Sequence, residues 1–545
     1  MTTLSRGAGQ PGDPPAREAT GPAHAKDPGG TTLLQRIVGI RLSPQYLSIL
    51  VVLTIATPAL VLRLWQIDAL GFNSDEAVYS GQAASLAGEP AFLPFFPVFR
   101  AHPLLFQSLL SVEYRAFGVS PLAGRLLAVA FGLGTVGLTY AIGSRLYARR
   151  VGVLAALLIA VMPYAVVVSR QVLLDAPMVF FTSLALYLVV RFVQSEHSVW
   201  LYSAAVALGM ATLTKETAIL LVGGAYVFFA LTRAARVRLN QAGIATAVLV
   251  VTVLPYPLSL RLAGSSSTGG QFLAWQLLRR PNHSWSFYPE TVPAALGVGV
   301  VGVAVLGLVV MARSLTWSEH LLLSWIVVPC VFFQLWAVKG FQYLLPIAVP
   351  VAVLAAMVVV SFPLPQKTLR LGALGVTTGA LRAVAAVILV ATLAMTSWSQ
   401  VQPASAGSSF LAGTGGVPAG REAGEWVAAN VPEGAEMLAV GPSMANIVQF
   451  YGHRKVFGLS VSPNPLHRNP VYEPVPNPDL EIRHGDLQYL IWDSFSASRS
   501  AHFSDRLLAY AERYNGRIVH QEFIEVPAGD GVVRKPVITV YEVRP

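Results

Sequence analysis

Gly71–Pro103 reads GFNSDEAVYSGQAASLAGEPAFLPFFPVFRAHP, between the first long apolar run of the chain and the second. Two adjacent acids, Asp75 and Glu76, open it, and His102-Pro103 closes it. A polar loop of this length between two apolar runs is what a membrane protein presents at one face. The residues around it carry that pattern further. The chain has 545 residues, 54% apolar and only 12% charged, with a mean hydropathy of +0.57. Soluble domains carry about 25% charged residues, so most of this chain belongs in lipid.

A membrane helix needs about 20 mostly apolar residues. Eleven runs qualify as candidates, at roughly 46–64, 122–144, 151–168, 172–190, 200–213, 217–232, 243–260, 291–312, 319–338, 341–361 and 383–399. Ser169-Arg170-Gln171 and Thr214-Lys215-Glu216 punctuate the third to sixth runs as tight turns. Residues 1–42 form a Pro-, Gly- and Ala-rich tail without the apolar core of a signal peptide, expected to be disordered and cytoplasmic. Residues 43–399 are the membrane domain, 400–420 a Gly/Ser/Ala linker, and 421–545 a small α/β domain. In that domain strands are expected at 436–440, 455–459, 488–492, 517–521 and 537–543. Helices are expected at 421–430 and 504–514, and an exposed loop at 463–478.

The net charge of +10 would suggest nucleic acid in a soluble protein. Here the basic residues fall where the positive-inside rule places them. With the N-terminus cytoplasmic, Arg145, Arg149, Arg150, Arg191, Arg233, Arg236, Arg238, Arg313, Lys367, Arg370 and Arg382 all reach cytoplasmic turns or helix ends. The partner is then membrane lipid, not nucleic acid. The 65–121 loop, the 261–290 loop and the C-terminal domain face outward. Composition rich in Ala, Val, Gly and Arg and poor in Lys fits a high-GC bacterium, hence its plasma membrane. The lone Cys330 excludes an internal disulfide and any multi-cysteine metal site.

Basic residues on the outer side run against that rule and call for partners. Arg170, Lys215 and Lys339 sit in short outer turns; Arg100, Arg261, Arg279 and Arg280 sit in the outer loops. Lys215 and Lys339 offer point charges to a phosphate, and Tyr343 a hydroxyl. Asp75 and Glu76, a few residues beyond a membrane helix, remain ionised cheaply and are placed to deprotonate an acceptor. The same four residues, Asn73–Glu76, also read as a helix cap, so spacing leaves a cap and a base both open. Asp175 opens an apolar run, and an ionisable group at membrane depth costs about 2.5–3.5 kcal/mol, which marks it as functional or as half of a buried pair with Arg170 or Lys215. The Ala91–Phe99 stretch is expected as short interfacial helices. His283, Tyr288 and Glu290 are candidates to line an acceptor or lipid entrance. No cofactor is required. Asp75, Glu76 and His102 with His283, Tyr288 and Glu290 form a set of oxygen and imidazole groups that a divalent ion could use.

Five segments in this order resemble the C-type-fold membrane glycosyltransferases, in particular the protein O-mannosyltransferases and the bacterial aminoarabinose transferases. They are Asp75-Glu76; His102-Pro103-Leu104; Arg170–Pro177 with its acid; the Leu213-Thr214-Lys215 turn; and Gln342-Tyr343-Leu344-Leu345-Pro346. The resemblance covers about residues 45–400. It implies a polytopic GT-C fold and an inverting transferase that takes a sugar from a polyprenyl-phosphate carrier to a protein, glycan or lipid acceptor. It implies that Asp75 is the base, that Glu76 and Asp175 support the site, and that His102, Lys215 and Tyr343 contact the carrier phosphate. His102 stands where some members have lysine, Gln342 where arginine is usual, and Glu216 where glycine is common. A lipid-linked-sugar transporter or flippase, a polysaccharide ligase or polymerase, and a scaffold protein are the competing functions.

Overall fold

The computed structural model describes residues 43–98, 102–234, 236–264, 266–361, 369–371, 374–402, 417–465, 467–528 and 531–545. Arg100, Lys367, the tail through residue 42 and most of the 400–420 linker lie outside the described residues. The chain divides into two units, Met1–Val52 and Leu53–Pro545. The described part of the first, residues 43–52, is helical from Pro44 onward.

Among the described residues, seven helices are long and apolar enough to cross a membrane, and eight if the pair Phe287–Leu296 and Val298–Met311, bent by 106°, is one span. The three other expected runs are helical but short or broken. Residues 198–214 and 216–231 form shorter apolar helices. The run at 151–168 splits at Met162 into Arg149–Val161 and Pro163–Val168. Pro163 explains that break, because it lacks an N–H and its ring collides with the preceding turn. The carbonyls freed there find donors from far away in sequence. Arg63, fully buried, gives a hydrogen bond to the Ala160 carbonyl at 2.8 Å, and Ser397 Oγ gives one to Val161 at 2.6 Å.

Helices Asp175–Ser195 and Ser198–Thr214 are joined by Glu196-His197 alone and pack as an antiparallel hairpin. The start of one therefore lies beside the end of the other. That puts an acid, Asp175, at a helix N-terminus and a base, Lys215, just past a helix C-terminus, each favourable to its own helix dipole.

The C-terminal region is a five-stranded sheet in the order Lys455–Gly458, Glu436–Ala439, Leu487–Asp493, Gly531–Glu542, Arg517–Ala528. The first three strands are parallel and the last two pair antiparallel. All five expected strands are present. The helix Pro442–Gly452, which the sequence analysis passed over, makes the crossover between the first two strands; Pro442 sits in its first turn, where a missing N–H costs nothing.

This region does not merely hang from the membrane domain. One face has its own core, around Leu438, Leu490 and Leu507. The other shares a core with the 65–121 loop, where Phe72, Phe92 and Phe96 pack with Met444, Val448 and Phe450. Phe92 and Phe96 thus correct the expectation for Ala91–Phe99: residues 90–95 are turns, and their rings are buried beneath the sheet domain instead of lying in the interface as helices. Gly81 makes this contact possible, since a Cβ there would sit 2.3 Å from the Phe96 ring. Polar links add to the seam. Arg421 donates to Asp68 Oδ1 at 2.9 Å, and the Phe72 N–H donates to the Tyr451 hydroxyl at 2.9 Å.

Candidate active site

The helix Ser74–Ala87 opens with a capping box that uses Asn73 and Glu76. Asn73 Oδ1 accepts from the N–H groups of Asp75 and Glu76, and Glu76 Oε2 accepts from the Asn73 N–H at 3.1 Å. The cap leaves the Asp75 side chain unused. Among the described residues it makes no hydrogen bond or ion pair, and it points into a cavity of about 200 Å³. Water reaches it from that cavity, yet protein surrounds it closely, and burial raises its pKa above the usual carboxylate value. Lys215 and His102 pull it back, and Asp175 and Glu76 push it further up.

Glu76 is a different kind of residue from its neighbour. It is 1% exposed and does not line the cavity. Both of its oxygens take the Arg125 guanidinium, at 2.9 and 3.0 Å, and Oε1 also accepts the Val172 N–H at 3.0 Å. Arg125 in turn donates to the carbonyls of Ile67, Leu70 and Gly71. Glu76 therefore corrects the expectation of a second reactive acid: it ties the helix bearing Asp75 to the membrane helix Pro121–Leu146, through Arg125, and to the turn before Asp175–Ser195, through Val172. Glu76→Gln is expected to lower stability by about 3–5 kcal/mol, the cost of leaving one charge of a buried pair alone. The check is thermal unfolding in detergent; donor KM of the folded fraction should not move.

Four of the other expected residues meet Asp75 around the cavity: His102, Asp175, Lys215 and Tyr343. Lys215 Nζ donates to Asp175 Oδ1 at 2.8 Å, with both groups buried, and lies 5.7 Å from the centre of the Tyr343 ring. His102 Nδ1 lies 3.0 Å from Glu216 Oε2. Burial pulls the His102 imidazolium pKa down, but the charge and hydrogen bond of Glu216, with Asp75, outweigh it and the net direction is upward against Lys215. Two acid–base pairs are thus closed, and Asp75 is the acid left over.

The other expected residues lie elsewhere. Arg170 donates to the carbonyls of Leu62 and Trp65, both at 2.6 Å, and so caps the end of helix Pro44–Leu64. Lys339 Nζ donates to Gln334 and Trp336 at 3.1 and 3.2 Å and caps Trp317–Leu335. The partner of each of these basic residues is a helix C-terminus, not a phosphate, as the helix dipole favours. Tyr288 accepts from and donates to the Gly340 backbone, His283 stacks on Phe287 at 4.1 Å, and Glu290 is exposed. These three do not join Asp75, Glu76 and His102 in one ligand set, and among the described residues no three His, Cys, Asp or Glu side chains cluster as a metal site requires.

Several cavity residues carry no role at the site in the sequence reading. Glu216 sits next to Lys215, and only the fold sets it opposite His102. Arg279 follows the helix Ser266–Leu278, bonds Gln276 at 3.2 Å and stacks on Trp275 at 4.4 Å. Its position against the positive-inside pattern was the available signal. Asn469, Val471 and Tyr472 come from the loop of the sheet domain that was expected to be merely exposed.

This arrangement of helices, with an Asp-bearing loop after the first long helix packed under a C-terminal α/β region, is the fold of the C-type membrane glycosyltransferases. Residues 101–259 match the family described as dolichyl-phosphate-mannose-protein mannosyltransferase. The fold resembles the crystal structure of ArnT from Cupriavidus metallidurans in the apo state, with a TM-score of 0.65 and 16% identity over 91% of this chain and 98% of that one. ArnT bound to undecaprenyl phosphate is similar at 0.63 and 15%. So is the archaeal oligosaccharyltransferase AglB from Archaeoglobus fulgidus, with an inhibitory peptide and a dolichol-phosphate, at 0.59 and 13% over 90% of this chain and 74% of that one. At such identities the likeness establishes the fold. An uncharacterised protein of Aquifex aeolicus (strain VF5) is 26% identical over 187 residues, 32% of this chain and 36% of that relative, so the match spans about a third of its length.

Proposed function

We propose that this chain is an inverting glycosyltransferase that moves a sugar from a polyprenyl-phosphate carrier to an acceptor on the extracytoplasmic face. The observation that carries this is the Asp75 carboxylate, without a side-chain partner among the described residues, in one cavity with Lys215, His102 and Arg279. Asp75 takes the proton of the acceptor hydroxyl or amine as that atom bonds to C1 of the sugar. The C1–O bond to phosphate breaks on the opposite side, and the electron pair leaves with the carrier phosphate. Lys215, His102, Arg279 and the Tyr343 hydroxyl stabilise that charge where it develops. No covalent intermediate forms, so the anomeric centre inverts. The relatives that hold undecaprenyl phosphate and dolichol-phosphate support the donor class. The distribution of basic residues supports the sidedness. The test is release of labelled sugar from a panel of polyprenyl-phosphate sugars in purified membranes. Product from none of them by folded protein would sink the proposal.

The pH profile follows from the two exposed-face groups. Asp75 must be ionised, and burial raises its pKa above the usual carboxylate value; His102 must be protonated, and against its burial the Glu216 carboxylate holds its pKa above the usual imidazole value. kcat/KM is therefore expected to rise through the first and fall through the second, as a bell. His102→Lys should move the falling limb up toward the lysine range. A wild-type profile flat on the basic side would remove His102 from the phosphate.

A further inference from the structure

Beside the catalytic cavity lies a second one, of about 190 Å³, that the reaction above leaves unused. Its walls come from helix Pro442–Gly452, from the edge strand Lys455–Gly458 and from the first outer loop at Phe95. Val471 and Tyr472 line both cavities, so a single loop of the sheet domain partitions them.

We propose that this second cavity is the acceptor subsite and that it seats a neutral sugar ring. The proposal deepens the transferase reading and rests on it. The walls offer an aromatic side chain, Phe95, and two amides, Asn446 and Gln449. An aromatic face packs on the C–H face of a sugar, and an amide both donates to and accepts from hydroxyls. The local charge disfavours an anion. Lys455, the cation here, is already held by Glu436 at 3.4 Å and by Glu473 at 3.5 Å. A phosphate or uronate therefore meets more negative than positive charge. The catalytic cavity differs in this respect, since Arg279 there faces no carboxylate partner among the described residues.

A peptide is the other kind of acceptor an edge strand takes, by adding a strand to it. The edge is unsuited to that. It is four residues long, the Val456 N–H is taken by Gln449 Oε1 at 3.4 Å, and the Lys455–Glu473 pair folds across it. Such devices blunt an edge strand. Size also limits the occupant. Pockets for drug-sized ligands run about 300–1,000 Å³, so this one holds a single ring of a longer acceptor.

The subsite is keyed to the base. The Asn446 amide donates to Ser74 Oγ at 3.0 Å, and Ser74 precedes Asp75 on the same turn. A ring held by Asn446 and Gln449 presents a hydroxyl past Tyr472 toward Asp75. Its oxygen bonds to the donor C1, its proton passes to Asp75, and the bond from C1 to the phosphate oxygen breaks.

The experiment is saturation-transfer-difference NMR on full-length protein in detergent. The probes are methyl glycosides of mannose, glucose, galactose and arabinose, with methyl glucuronide as the charged control. At least one neutral glycoside is expected to bind wild type and Asp75→Asn alike. Gln449→Ala should weaken it at least tenfold. Phe95→Ala should weaken it too, and its thermal unfolding shows whether the fold is kept. No binding of any neutral glycoside, binding indifferent to Gln449→Ala, or preference for the glucuronide overturns the subsite. The two proposals fail separately. Transfer with glycoside binding indifferent to Gln449→Ala removes the subsite and keeps the transferase. Gln449-dependent binding with no transfer from any donor removes the transferase, and the acceptor role with it.

Discussion

Asp75→Asn is expected to reduce sugar transfer by about 10²–10⁴, the usual contribution of a general base, while leaving thermal stability unchanged or slightly higher. The second half of that result follows from the cap. Asn73 and Glu76 perform all the capping at this helix start, so removing the Asp75 charge breaks no hydrogen bond. Burial already disfavours the ionised form, and asparagine relieves that strain on the fold. The contrast variant is Asn73→Ala. It loses the cap oxygen, typically about 1 kcal/mol, and keeps the carboxylate. Labelled-sugar transfer and unfolding temperature, measured on both variants, separate the two roles of this short segment. Equal transfer by wild type and Asp75→Asn would end the case for Asp75 as base.

Lys215→Met is expected to lower both stability and turnover, and its companion variant divides the two losses. Asp175 and Lys215 are both buried, so a lone Asp175 costs about 3–5 kcal/mol in stability. Replacing both, as Asp175→Leu with Lys215→Met, removes the charge and its partner together, and most of that stability should return, because well-packed apolar substitutes for a buried pair are often neutral. Turnover should stay down by about 10²–10³, the usual cost of deleting one preorganised group that meets developing charge. The readouts are unfolding temperature and kcat at saturating donor. If turnover returns along with stability, Lys215 is a structural partner of Asp175 and does not meet the phosphate.

Much of this molecule is legible along the chain, where the controlling physics is local. Apolar runs of helical length mark the spans. Polar turns mark their ends. Alternation marks the five strands of the sheet. Asp75, Asp175 and Lys215 stand out because a charge beside or inside lipid requires a reason. The same logic overreached at Arg170 and Lys339. Each does have a partner, but that partner is a helix C-terminus, and a string of residues does not show which backbone carbonyls a break or an end leaves open. The seam between Phe92, Phe96 and Phe450 was equally hidden, because residues more than 350 positions apart in sequence share that core.

Sequence alone thus determined the class of fold and the order of its parts. It could not separate two neighbouring acids with identical local prospects. Tertiary structure did that by spending Glu76 on Arg125 and leaving Asp75 open to the cavity. It also closed His102 on Glu216, 114 residues apart, and brought a loop of the sheet domain to the wall of the site. The reason is the same in each case. A carboxylate's chemistry depends on what satisfies it, and in a folded chain its partners come from elements distant in sequence.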